Sequence, residues 1–195
     1  MKAGDCLMSR QSLFELFTRF LKDNGIVGNL DDFVEREKVH YLFFIADKLG
    51  LGSGYNYDFF LRGPASSEIF EDMDNPIFSA PGILFRCDDF LKVVSGKDIK
   101  WLRVASTILR VYELGLSKGI NFDDVVEIVY ELLGGDELRK IDSGLLEPIG
   151  GDGLFVDRDF IRNVLDELSE LGILSVIGII HTARKSVGQV VVDNR

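Results

Sequence analysis

The run from Lys38 to Leu49 (Lys38-Val39-His40-Tyr41-Leu42-Phe43-Phe44-Ile45-Ala46-Asp47-Lys48-Leu49) constrains the fold more than any other part of this chain. Val39, Leu42, Phe43 and Ala46 form one helical stripe, while Tyr41, Phe44 and Ile45 fill the other faces. A helix apolar nearly all round has to be buried nearly all round. The segment is therefore expected to be the central helix of an N-terminal core, stopped by Gly50 and Gly52. Other elements must wrap it, and a chain of 195 residues is long enough to supply them, as one large domain or two small ones.

The wrapping elements are legible from periodicity. Leu13, Phe14, Phe17, Phe20 and Leu21 recur at three- and four-residue spacing, which predicts a helix over 12–23 that Asn24-Gly25 stops. Asp31 or Asp32 caps the central helix. Tyr57 to Leu61 has strand composition, and Gly63-Pro64-Ala65-Ser66-Ser67-Glu68-Ile69 then turns into a short helix that ends before Pro76. Gly63 permits the sharp turn, Pro64 fixes φ, Ser66 or Ser67 caps, and Glu68 adds charge favourable to the helix N-terminus. A short helix over 88–94 follows a loop.

Further along, Trp101, Val104, Ala105, Ile108 and Tyr112 mark the buried face of an amphipathic helix over 97–115. Asn121 caps another, with Phe122, Val125, Val126, Val129 and Leu133 pointing inward. Asp157 caps a third, whose core face is Phe160, Ile161, Val164, Leu165 and Leu168. Ile173 to Ile180 and Val187 to Val192 read as two strands of a hairpin with its tip at 181–186. A helix followed by a hairpin is the skeleton of a winged helix.

Two motifs together resemble a known group. The helix opened by Lys38, followed by a strand and by Gly63-Pro64-Ala65-Ser66-Ser67-Glu68-Ile69, is similar to the signature of the YwgA-like proteins. These look related to the wider SocA-type antitoxin, or Panacea, group. The resemblance covers about residues 10–75. The chain departs from the pattern at His40, where glutamine is usual, at Phe44 in place of tyrosine, and at Ala65 in place of an aromatic. Members of the wider group are linked to toxin neutralisation, proteolytic adaptors and regulation, so the resemblance implies a binding role and brings no catalytic residue with it.

Charge and chemistry narrow the classes. The net charge of −10 disfavours unspecific attraction to nucleic acid or anionic membrane. Two cysteines, Cys6 and Cys87, give no disulfide framework or metal spacing, which suits a reducing cytoplasm. No signal-peptide core or membrane-spanning run is expected; the longest apolar run, 173–180, is too short. His40 and His181 are too few for a zinc site, and His40 in an apolar helix reads most simply as a packed histidine with one hydrogen-bond partner. Neither cysteine has a base close in sequence, and no nucleophile elbow, metalloprotease helix or phosphate loop is present. Glu68, Glu71, Asp72 and Asp74 cluster on one short helix, a pattern that usually marks a solvated acidic face.

These readings predict a cytoplasmic, mainly helical α+β protein without cofactor or metal. Residues 1–95 form a YwgA-like helical part. Residues 96–195 form a helical part ending in a winged-helix-like β-hairpin, the two parts also being readable as one continuous domain. The expected role is a non-catalytic regulatory or protein-interaction module. Its groove would lie beside the central helix, with His40, Tyr57, Arg62, Gly63, Pro64, Ser66 and Glu68 as partner-binding candidates. The alternative is a DNA-binding regulator using Arg184 and Lys185 at the hairpin tip and a basic stretch, Lys100, Arg103 and Arg110, on the polar side of its helix. A homodimer would join two such stretches in one surface.

Overall fold

The structure, a computed structural model, describes residues 10–60, 63–74, 87–133 and 156–178. Among these residues the chain is mainly helical, with a small two-stranded antiparallel sheet. The chain divides into two compact units, Met1–Asp58 with Ala65–Gly96, and Phe59–Pro64 with Lys97–Arg195.

In the first unit, α1 spans Arg10–Asp23, α2 Phe33–Lys48, α3 Ser67–Asp74 and α4 Cys87–Val94. Asp32 caps α2, its carboxylate accepting from the Val34 amide at 2.7 Å. Every residue from Val39 to Ala46 is buried, as the apolar sequence requires. Aromatic rings supply much of the cover. Phe17 meets Phe43 edge-on with centroids 4.6 Å apart and Phe90 of α4 at 5.4 Å, while Tyr55 stands against Phe43 at 5.3 Å. Such edge contacts add about 0.5–1.5 kcal/mol each beyond area burial.

The sheet pairs β1, Asp58–Phe60, with β2, Gly63–Ala65. Gly63-Pro64-Ala65 is thus a strand and not merely a turn. Gly63 has φ 116°, a conformation that side chains with a Cβ rarely adopt. The Ser66 hydroxyl does not cap α3: it is buried, with no hydrogen-bond partner among the described residues.

In the second unit, α5 spans Ile99–Gly115, α6 Phe122–Leu132 and α7 Arg158–Glu170, and the three pack against one another. Asp98, Asn121 and Asp157 cap them through side-chain bonds to the amides of Trp101, Asp124 and Phe160. Residues 101–109 of α5 are all buried, so α5 is a central helix in its own right. This corrects the amphipathic reading: Arg103 is only 5% exposed. The hydroxyls in that run are satisfied by the helix itself, Ser106 and Thr107 both donating to the Arg103 carbonyl at 3.0 and 2.8 Å. Phe122, expected inside, is exposed at the start of α6.

The segment expected as the first hairpin strand is helical over residues 173–178. Gly172, with φ 73°, ends α7, and the chain turns helical again with the Val176 amide donating to the Gly172 carbonyl. Ile173, Leu174 and Ile177 are the buried positions, a helical spacing that overrides the strand propensity of isoleucine and valine. The rest of the expected hairpin, with Arg184, Lys185 and the strand 187–192, lies outside the described residues. No described helix is long and apolar enough to cross a membrane.

Candidate functional site

The candidates around α2 join a buried polar network. His40 is 2% exposed. Its Nδ1 accepts from the Ser66 amide at 3.3 Å, and the Phe70 ring lies 4.1 Å from its own. With Nδ1 an acceptor, the neutral ring carries its proton on Nε2. Burial, and secondarily the Arg36 charge, push the imidazole pKa down to about 4. Nε2 and Ser66 Oγ find no partner among the described residues. His40 and Ser66 are therefore brought together as sequence suggested, but inside the unit and not on the rim of a groove.

The other described candidates are likewise engaged within the fold. Tyr57 donates from its hydroxyl to Asp47 Oδ2 at 3.0 Å and sets its ring against Phe44. Burial, with the Asp47 charge next, raises that phenol's pKa. Asp47 also accepts from the Ser53 amide and hydroxyl, and its own pKa is raised by burial. Glu68 takes Arg10 Nη1 at 2.7 Å on one oxygen and the Asn56 amide at 2.9 Å on the other. Gly63 and Pro64 are buried in β2, and Arg62 lies outside the described residues.

The acidic cluster of α3 is divided: Glu71 and Asp74 are exposed, as a solvated acidic face would be, while Asp72 is buried. Asp72 is 1% exposed, accepting from Arg10 Nε at 3.0 Å and from the Tyr55 hydroxyl at 2.7 Å. Asp74 pairs with Arg36 at 2.8 Å. Arg10 stands 62 positions from Asp72 in the chain, so no local pattern could have joined them. Among the described residues no group of three or more His, Cys, Asp or Glu could hold a metal ion.

The basic residues of α5 make contacts within the fold. Lys100 Nζ lies 4.4 Å from the Phe160 ring centroid, Arg103 is buried, and Arg110 pairs with Glu113 at 3.2 Å. On α7, Arg158 and Arg162 are bound to Glu127 and Asp123 of α6.

A different feature of the second unit is a concave, mainly apolar site. A cavity of about 470 Å³ lies between the C-terminal end of α5 and α6, with Phe59 of β1 on its wall. Leu114 is 52% exposed and Ile128 41%, and Leu132 and Phe59 are also exposed. Ile120 packs into the cavity wall over Gly115, where an added Cβ would sit 2.6 Å from Ile120 Cγ2. Lys118 and Asp124 stand at the rim. The sequence did carry a signal for this face. Ile128 and Leu132, four residues apart, form a second apolar stripe on α6 beside Val125, Val126 and Val129, and one helix rarely buries both. No family model, no curated protein and no solved structure matches this chain.

Proposed function

We propose that this chain is a non-catalytic protein-interaction module and that the α5–α6 cavity is its docking face. The observation that carries the reading is the clustering of exposed Leu114, Ile128, Leu132 and Phe59 around one concave site. Scattered apolar residues on a surface need no explanation, whereas apolar residues gathered around one hollow with polar residues beside them match the core-and-rim layout of contact surfaces. Its volume would hold a few large side chains of a partner. The resemblance to the YwgA-like group, whose wider relatives are linked to neutralisation and adaptor roles, points the same way. The DNA-regulator alternative draws less support, because the cations of α5 are buried, paired or laid over a ring.

A photo-crosslinking side chain at Leu114 tests the reading in cells. A discrete adduct is expected there, lost when Ile128→Asp puts a charge into the hollow, and absent when the label sits at exposed Leu171 instead. Ile128 is partly exposed, so the substitution should leave the chain folded, at a cost of about 1 kcal/mol that circular dichroism can check. Adducts that ignore Ile128→Asp, or that form equally from Leu171, would refute the assignment.

A further inference from the structure

We infer that the occupant of this cavity is an amphipathic helix from another protein, carrying basic residues along one flank of its apolar stripe. The inference rests on the docking role argued above and adds the partner's chemistry. It comes from how the acids of α6 are divided. Asp123 and Glu127 are matched by arginines of α7: Arg162 Nη2 bonds Asp123 at 2.7 Å, and Arg158 Nε bonds Glu127 at 2.8 Å. Asp124 and Glu131 have no side-chain partner among the described residues, and both are exposed. They stand about two helical turns apart, on the same α6 stripe as Ile128.

The open side of α6 therefore reads acid, apolar, acid along its length, and no described cation of this chain answers it. Beside that stripe lies the hollow bounded by Leu114, Leu132 and Phe59. A helix laid along such a groove places apolar side chains at three- and four-residue spacing into the hollow. Its flanking positions two turns apart then face Asp124 and Glu131, and complementary cations there fix register and suppress acidic competitors. Lys118 at the other edge, likewise without a partner among the described residues, would meet an acidic side chain or the carbonyl end of the incoming helix.

A designed, fluorescently labelled helix about four turns long tests this on the full chain. One probe carries a leucine stripe with lysines two turns apart on its flank, and a second carries glutamates in their place. By anisotropy the basic probe should bind, more tightly at low salt, and the acidic probe should not. In the Asp124→Lys/Glu131→Lys variant, shown folded by circular dichroism, the preference should reverse, with the basic probe weakened by about tenfold. Equal binding of both probes, or binding of neither, overturns the inference. So does a double variant that behaves as the parent. If Ile128→Asp abolishes probe binding while the charge swap does nothing, the docking face stands and its basic partner falls. A dimer of the free chain that the swap dissolves assigns the face to a second copy. A cross-link from position 114 to residues 134–155 or 179–195 of the same molecule assigns it to the chain itself. Both of those results also overturn the inference.

Discussion

His40 is held as a neutral imidazole because its surroundings offer a hydrogen-bond donor and no counter-charge. The Ser66 amide points its proton at Nδ1, Phe70 covers the ring, and the Arg36 charge that acts on it has the wrong sign to favour a cation. Protonation would place N–H against N–H and bury a charge. Its folded-state pKa of about 4 lies below the ordinary histidine value of about 6.5. The sign follows directly. Above about pH 6.5 the imidazole is neutral folded and unfolded, and the stabilisation is complete. Between about 6.5 and 4 only the unfolded chain takes up the proton, so stability falls with falling pH. The loss attributable to this residue should approach roughly 3 kcal/mol and level off below about pH 4. Urea titrations across that range should show the slope in the parent and a flatter profile in His40→Gln. A variant with an unchanged profile would show that another group drives the acid response.

At the scale of elements, the clearest steric demand lies where α5 hands over to α6. Gly115 has ordinary helical dihedrals, φ −84° and ψ −17°, so its role is not backbone freedom. A Cβ there would lie 2.6–2.7 Å from three atoms of Ile120, including the Ile120 Cβ, which no rotamer change can move away. Overpacking of this kind costs about 1–3 kcal/mol, whereas alanine gains at most about 1 kcal/mol of helix propensity over glycine. Gly115→Ala should therefore lower the melting temperature. Gly178→Ala, where an added Cβ meets nothing within 4 Å, should leave it level or raise it slightly. If both substitutions melt alike, close packing by Ile120 is not what the glycine serves.

The same scale shows what a linear reading can and cannot reach. α2 was legible because Val39 to Ala46 has an apolar residue on every face, and such a pattern admits one environment. α5 is just as buried, but Arg103, Ser106 and Thr107 interrupt its pattern, and their burial depends on bonds back to the helix and on neighbours far away in sequence. Residues 173–178 mislead in the opposite direction, since their composition favours a strand while their buried positions follow a helical period. The signature around Gly63–Glu68 marked a real junction, yet its partners, Arg10 for Glu68 and His40 for Ser66, are set by tertiary approach. The cavity was hidden for a related reason. Leu114, Ile128 and Leu132 look like surplus core residues until the packing of α5, α6 and α7 shows which stripe of each helix is left uncovered.

At the scale of the whole molecule, each unit carries its own core. The first is built on Phe17, Phe43 and Phe90, the second on α5 residues such as Leu102, Ile108 and Leu109 with Val129 and Leu165 from its neighbours. The single tryptophan belongs to the second. Trp101 donates from Nε1 to Glu167 at 2.8 Å under the Lys97 ammonium, which itself pairs with Glu167. Its fluorescence thus reports one unit, while far-ultraviolet circular dichroism reports helices of both. Phe43→Ala should remove about 3–5 kcal/mol from the first unit by lost transfer and cavity terms. Because unit-wise unfolding breaks a single two-state transition into two, the dichroism curve should then broaden toward lower denaturant while the Trp101 transition keeps its midpoint. Leu109→Ala should do the reverse, moving the Trp101 midpoint by an amount matching a loss of about 2–5 kcal/mol. Coincident shifts of both signals in both variants would mean that the chain unfolds as one cooperative block.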